Sequence, residues 1–219
     1  MNSTLIGICL LVANYLIGSI SSAVIITRLV KKQDIREIGD RKAGGSNVIK
    51  NVGLIWGLLV GAFDIIKGVP LLILARNLDI DESWLSFIAI AAVIGHNWPL
   101  YFNFAGGRGI ATIIGTILYL TPSGALIPLI IFAFSIIPAL IKQLKNFKPV
   151  SSPILTLIAL AVYIFMTFQT DEKAFQLYSV LILVLVLFRR ITARIKEYRN
   201  NSLHKLLLSR LLFDNDYSL

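Results

Sequence analysis

Long apolar runs separated by short polar stretches dominate the chain. They fall at about Leu5–Leu29, Val52–Ala75, Trp84–Phe104, Ile110–Leu120, Ala125–Ile141, Ile154–Phe168 and Ala174–Phe188. A helix of roughly 20 apolar residues rises about 30 Å, the thickness of the hydrocarbon core of a bilayer. Five of the runs read as ordinary spans. Ile110–Leu120 rises only about 16 Å as a helix, so it is expected to be tilted, re-entrant or extended through the flanking glycines. Thr121-Pro122-Ser123-Gly124 reads as a turn between the fourth and fifth runs. Near the end, Ser202–Arg210 reads as an amphipathic surface helix, rich in Leu and carrying Lys205 and Arg210.

Composition agrees with this pattern. Of 219 residues, 56% are hydrophobic and 15% charged, against about 45–50% and about 25% in a soluble globular domain. An ordinary soluble domain, a disordered chain and a collagen-like chain are excluded, and an all-α integral membrane protein is predicted. Six or seven spans use about 120–140 residues, which leaves short loops. One transmembrane domain over residues 1–190 and a basic tail over 191–219 are expected. No Lys or Arg precedes Leu5 and no small-residue cleavage site stands out, so the first run is expected to persist as a helix. The one cysteine, Cys9, cannot form an intrachain disulfide, and the only histidine besides His96 is His204 in the tail. Neither a metal nor a cofactor is therefore expected.

The formal charge of +9 would suggest nucleic acid in a soluble protein. Here most basic residues flank apolar runs, so the charge reads as membrane orientation, with no nucleic-acid partner. Basic residues cluster in 31–51, 142–150 and the tail, whereas 76–83 and 169–173 are acidic or balanced. With about seven transmembrane helices, 18 of the 21 Lys and Arg fall on one side; Arg76 and Lys173 lie opposite, and Lys67 lies within a span. The positive-inside rule then places the N-terminus outside, the C-terminus in the cytoplasm and the protein in the cytoplasmic membrane. Merging 110–141 into one crossing would put 142–150 outside and spoil this order.

All 15 glycines fall at or before Gly124, which marks the first half as the closely packed, site-bearing half. The strongest local signal is Gly106-Gly107-Arg108-Gly109, followed by Ile110-Ala111-Thr112. Glycines let backbone N–H groups approach a ligand, a following helix offers its N-terminus, and an arginine adds a fork suited to phosphate. The spacing is not that of a Walker loop, and the plainer reading is a tight turn with a cytoplasmic arginine. A second polar segment, 34–47, combines Asp34, Arg36 and Glu37 with Gly44-Gly45-Ser46-Asn47. It reads either as a backbone nest or as an ion network followed by Ser46 or Asn47 capping the next helix. Asp64 and Lys67 lie three apart within a span, so they share a helix face and form an intramembrane pair, functional or structural. Ser19 follows Gly18 and reads by itself as a serine bonded to its own helix. His96 and Asn97 precede the glycine loop; His96 is a base, a phosphate donor or a packed polar residue. Ser151-Ser152-Pro153 reads as a helix start.

Together these residues resemble the bacterial membrane acyltransferases of the PlsY type, which move an acyl group from acyl phosphate to glycerol-3-phosphate. The resemblance runs in order through Tyr15-Leu16-Ile17-Gly18-Ser19-Ile20, Asp34-Ile35-Arg36-Glu37-Ile38-Gly39 with Gly44 and Ser46-Asn47, and Asp64-Ile65-Ile66-Lys67-Gly68. It continues through Gly95-His96-Asn97-Trp98-Pro99, Gly106-Gly107-Arg108-Gly109-Ile110-Ala111-Thr112 and Val150-Ser151. Arg108 stands where the family has lysine, residues 40–43 are more charged than their counterparts, and the tail after Arg189-Arg190 lacks the family's closing Gly-x-Glu.

The resemblance implies acyl phosphate and glycerol-3-phosphate as substrates and lysophosphatidic acid as product, formed for phospholipid synthesis beside membrane lipid. It implies that Gly106, Gly107, Arg108 and Gly109, with Thr112, hold the phosphate of glycerol-3-phosphate. Ser19, Arg36, Ser46, Asn47 and Ser151 would position the acyl phosphate and the developing oxyanion, and His96 would support the loop or bond a phosphate. Two other readings stand beside it. One is a retasked or non-catalytic member that binds a lipid phosphate or uses another acceptor. The other is a small transporter, for which Asp64 and Lys67 speak but no internal repeat does.

Overall fold

The computed structural model describes residues 2–140, 152–192 and 203–214. Eleven α-helices and two short 3-10 turns account for nearly all of them, and no strand occurs among the described residues. Four helical stretches are long and apolar enough to cross a membrane: 3–31, 54–77, 82–102 and 173–191. Three shorter apolar helices accompany them, at 110–120, 122–134 and 153–168. The outward faces are apolar, with Leu54, Ile55, Leu58 and Leu59 all exposed along one helix. Lipid accepts such a surface, whereas water would not.

The first apolar run is two helices, α1 (Ser3–Gly18) and α2 (Ser22–Lys31). Ser19-Ile20-Ser21 interrupts it, with Ser21 extended. After α3 (Gly45–Asn51), the second run divides likewise into α4 (Leu54–Ile66) and α5 (Pro70–Asn77). Pro70 opens α5, where its missing N–H costs no helical bond, and its ring prevents the preceding helix from continuing through it. The third run is α6 (Glu82–Asn97), started by the Asp81 side chain on the N–H of Ser83 and ended before Pro99.

α7 (Ile110–Leu120) matches the fourth run, and α8 (Pro122–Leu140) follows it after the single residue Thr121. The expected four-residue turn is therefore not formed: Pro122, Ser123 and Gly124 belong to the first turn of α8. α9 (Ser152–Phe168) has Pro153 in its first turn, as the helix-start reading required. α10 (Lys173–Ile191) and α11 (Leu203–Phe213) complete the chain. α11 does not lie free on the surface, because Ser209 and Arg210 are buried and the helix packs on α9 and α10.

α1 lies along α6, α4 against α7, α8 against α9, and α10 between α6 and α9. Two crossings depend on absent side chains. A Cβ on Gly95 would sit 2.2 Å from the Tyr15 carbonyl oxygen, and one on Gly115 1.9 Å from that of Ile65. The larger apolar core is built from α1 and α5 to α10. A smaller one, formed by Ala23, Val24, Ile35, Ala43, Val48 and Val60, underlies the 34–44 loop and fixes it to the bundle.

Candidate active site

Asp34 organises the first polar loop. Its carboxylate accepts the Arg36 N–H at 3.0 Å and pairs with the Arg36 guanidinium at 2.7 Å and that of Arg28 at 2.8 Å. The Arg36 guanidinium, with help from Arg28, holds the Asp34 carboxyl well below the usual carboxylate range, and Asp34 in turn raises the pKa of Arg36. Arg36 also reaches out of its loop. Its Nη1 donates to the carbonyls of Phe102 at 2.7 Å and Ala105 at 3.4 Å, with the guanidinium above the Phe102 ring.

Asn47 does not cap α3; Gly44 occupies that position and α3 begins at Gly45. Instead the buried Asn47 amide donates to the carbonyls of Ile35, Ile38 and Lys42, and its Oδ1 accepts from the N–H of Asp40 and from Asn51. It is the clasp of the loop. Ser46, one residue earlier, is exposed and not a cap either.

The glycine loop arrives from the other direction. Asn103 and Phe104 both have left-handed backbone, with φ of 54° and 56°, a costly conformation for side-chain-bearing residues. The Arg36 bonds to the carbonyls on either side help to hold this turn. Gly109, at φ 76°, caps α7. Gly106 and Gly107 permit close approach: a Cβ on the first would meet the His96 carbonyl oxygen at 2.1 Å, and on the second His96 Nε2 at 2.2 Å. The N–H of Gly107 donates to the His96 carbonyl at 3.1 Å. Arg189, from the end of α10, grips the far side of the loop. Its Nε donates to the Gly107 carbonyl and its Nη2 to the Gly106 carbonyl, each at 3.0 Å, and it lies over the Trp98 ring.

Arg108 points to the mouth formed by both loops. Its Nε and Nη2 meet the carboxylate of Asp214 at 3.0 and 2.7 Å, and its Nη1 donates to the Arg189 carbonyl at 3.4 Å. Lys42, from the first loop, approaches the same carboxylate at 2.5 Å. Lys42 and Arg108 thus share one carboxylate, with Arg189 beside them, near the N-terminus of α7, whose first N–H groups have no carbonyl within their own helix.

Beneath the loop is a buried polar network. Lys67 Nζ lies 2.9 Å from Asp64 Oδ1 and donates to the Ile20 carbonyl at 3.0 Å. Ser22 Oγ donates to Asp64 Oδ1 at 3.1 Å, and His96 Nδ1 lies 3.6 Å from that oxygen. The pairing expected of Asp64 and Lys67 is present, and His96 joins it, facing Asp64 with one ring nitrogen and the Gly107 backbone with the other. Ser19 is fully buried and its hydroxyl donates to the Tyr15 carbonyl at 2.8 Å. Thr112 is buried in the first turn of α7, and its hydroxyl has no hydrogen-bond partner among the described residues.

The two loops, His96 and the Asp64–Lys67 pair come together at one end of the bundle, while Ser46 and Ser19 stand apart from the Arg108 fork in their bonding. Ser151 lies outside the described residues. The sequence placed Arg189 among the orienting charges and at the start of the divergent closing segment, gave it no site role, and did not single out Asp214. An arginine at the end of a span satisfies the positive-inside rule wherever it points, so that rule could not show its grip on the loop. Among the described residues, no group of three or more His, Cys, Asp or Glu could hold a metal ion.

Fold and site define a helical integral membrane protein with an anion-receptive, arginine-rich mouth over a glycine loop. The sequence profile described as glycerol-3-phosphate acyltransferase matches residues 8–201, and the chain belongs to that family. The glycerol-3-phosphate acyltransferase of Halalkalibacterium halodurans is 40% identical over 134 residues, 60% of this chain and 65% of that one. That of Legionella pneumophila (strain Corby) is 42% identical over 111 residues, 51% of this chain and 40% of its own. The matched stretch thus spans less than two thirds of either relative. The crystal structure of PlsY, an integral membrane glycerol 3-phosphate acyltransferase, in its glycerol 3-phosphate form superposes with a TM-score of 0.72 at 25% identity, covering 97% of this chain and 95% of that one. Its lysophosphatidic acid form gives 0.69, also at 25% identity, covering 95% and 97%.

Proposed function

We propose that this chain is a membrane acyltransferase that moves a fatty acyl group from acyl phosphate to a hydroxyl of glycerol-3-phosphate, giving lysophosphatidic acid and phosphate for phospholipid synthesis. The observation that carries the reading is the convergence of the Arg108 guanidinium and the Gly106–Gly109 loop at the start of α7, with Lys42 from the other loop on the same carboxylate as Arg108 and Arg36 bracing the turn before the glycines. Family membership and the likeness to the glycerol 3-phosphate form of PlsY support it.

The acceptor hydroxyl oxygen attacks the acyl carbonyl carbon. The bond from that carbon to the phosphate oxygen breaks, and the departing phosphate takes the hydroxyl proton. The leaving group is good and carries its own basic oxygens, so the chemistry asks mainly for proximity and for positive charge around the phosphates. Arg108 and the loop N–H groups hold the phosphate of glycerol-3-phosphate. Arg36, Asn47, His96 and Ser19 act as positioning residues, since the bonds recorded for them go to backbone or to neighbouring side chains. Thr112 joins the loop in holding the glycerol-3-phosphate phosphate, and Ser46 and Ser151 offer hydroxyls to the acyl phosphate and the developing oxyanion. The Asp64–Lys67 pair fixes the floor beneath His96.

The same reading places residues 1–190 as one transmembrane domain with seven crossings in the cytoplasmic membrane. The N-terminus is outside, the mouth faces the cytoplasm and 191–219 forms the tail. The test is a defined assay with purified protein, acyl phosphate and labelled glycerol-3-phosphate. Wild type is expected to form lysophosphatidic acid, and Arg108→Ala to form none while remaining folded in the membrane. Full activity in Arg108→Ala would remove Arg108 from the site, and no product from folded wild type would overturn the activity.

A further inference from the structure

The C-terminal helix delivers an anion into the mouth. α11 is tied to the end of α10 by Arg210 Nη1, which donates to the Ile191 carbonyl at 2.6 Å, and by Arg190, which donates to the Leu211 carbonyl. The chain then turns at Asp214, whose φ is 50°. Its Oδ2 accepts a hydrogen bond from Arg108 Nε at 3.0 Å, and its Oδ1 lies 2.7 Å from Nη2 in an ion pair without hydrogen-bond geometry. Lys42 Nζ is 2.5 Å from the same Oδ2 and also donates to the Asp214 backbone carbonyl at 3.0 Å. The Asp214 side chain is only 9% exposed. Two cations from two different loops therefore share one carboxylate contributed by the tail.

A guanidinium fork presents the same pair of parallel donors to a carboxylate and to a phosphate. Asp214 thus stands where a phosphate with two oxygens on Arg108 and one on Lys42 would stand. We propose that Asp214 is an internal competitor of the phosphate substrate: it occupies the Arg108–Lys42 pair, and the incoming phosphate must displace it and release the end of α11. This rests on the reading of Arg108 as the phosphate holder. The consequence is quantitative. Apparent affinity is the intrinsic affinity multiplied by the fraction of molecules with Asp214 withdrawn. A dianionic phosphate ester gains more from two cations than one carboxylate does, whereas a monoanionic carboxylate ligand gains no such advantage. The tail therefore selects for phosphate esters over carboxylates and sets the concentration at which the site fills.

The test uses the full chain in detergent. Binding of inorganic phosphate and of glycerol-3-phosphate is measured by calorimetry for wild type and Asp214→Asn, beside the KM for glycerol-3-phosphate. About tenfold tighter binding and a lower KM are expected for Asp214→Asn, because the competing fraction is removed. Unchanged or weaker binding by a folded Asp214→Asn would overturn the proposal, since Asp214 would then be a fixed counter-ion that aligns Arg108. A second measurement leaves Asp214 in place. A spin label at Leu212→Cys, in a Cys9→Ser background, is expected to become mobile as phosphate saturates the site. A label that stays immobile while phosphate binds would likewise overturn it. Tighter phosphate binding in Asp214→Asn without lysophosphatidic acid from any variant would leave this inference standing and end the transferase reading; product formation with identical phosphate affinities would do the reverse.

Discussion

Ser22, Asp64, Lys67, His96 and the Ile20 carbonyl form a closed set in which each charge has a named partner. The break at Ser19-Ile20-Ser21 is part of it, because a carbonyl inside an unbroken helix would already be bonded to its own ladder. Asp64 and Lys67 expose only 3% and 1% of their side chains. Breaking such a buried pair from one side is expected to cost about 3–5 kcal/mol, more than removing both charges together. Asp64→Leu should therefore lower the melting temperature in detergent further than Asp64→Leu with Lys67→Met; an equal or greater loss in the double variant would refute this. Asp34 belongs to a wetter setting and a different test. Its folded pKa lies below its ordinary value of 3.8, so its contribution is complete above that pH and is lost only as pH falls through the depressed folded value. A carbon-detected NMR titration is expected to find Asp34 still ionised at about pH 3, where a free aspartate is mostly protonated, and Arg36→Ala is expected to return it toward the ordinary range. The sequence made Asp64 and Lys67 legible as a pair because both sit three apart on one helix. It could not show His96 between Asp64 and Gly107, nor Asp214 on Arg108, 106 residues away in the chain, since no periodicity links distant elements.

At the scale of elements, the glycines decide how close the helices come. A Cβ on Gly18 would meet the Ala92 carbonyl oxygen at 2.3 Å, and one on Gly95 the Tyr15 carbonyl oxygen at 2.2 Å, so α1 and α6 touch backbone to backbone. Neither carbonyl can rotate away as a side chain would. Gly95→Ala is expected to force the two helices apart and to destabilise by about 1–3 kcal/mol, in the range of overpacked cores. Gly61, inside α4, has open space where its Cβ would be. Gly61→Ala is expected to stabilise by about 0.5–1 kcal/mol through backbone entropy alone. Thermal melts of the two variants should therefore move in opposite directions, and parallel shifts would refute the assignment of these crossings. Glycine enrichment in the first half was visible in the sequence, but the division of its glycines into crossing points and open sites was not. The apolar runs located the helices well because hydropathy reports burial in lipid. Their internal breaks at Ser19–Ser21 and Lys67–Val69 escaped, because the interrupting residues keep the run apolar on either side.

The contacts of Asp214 bear on the whole molecule, because residues that touch must lie on one side of the membrane. Lys42, Arg108 and Asp214 do so. Between Lys42 and Arg108 the chain runs through the long stretches 54–77 and 82–102, an even number of crossings. Between Arg108 and Asp214 it runs through α7, α8, α9 and α10, which is even when α7 and α8 both cross or neither does, and odd when the two together make one crossing. This parity excludes a single crossing by α7 and α8 together, in line with the 18 basic residues that a seven-crossing topology gathers on one side. α7 has 11 residues and rises about 16 Å, half of a typical core, so a crossing by α7 would place the glycine loop at its start below the level of the headgroups. Irregular backbone at that depth is tolerated only when protein satisfies it, and Arg36, Arg189 and the His96 carbonyl do so here. The decisive residue is Ser123, exposed in the first turn of α8. In a Cys9→Ser background, Ser123→Cys and Asp171→Cys are expected to react with a membrane-impermeant thiol reagent from outside intact cells, and Lys50→Cys only after the membrane is opened. Labelling of Ser123→Cys from the cytoplasmic side would merge α7 and α8 into a re-entrant pair. The chain would then make five crossings, with Arg108 and Asp214 still on one side, and the seven-crossing topology would be refuted.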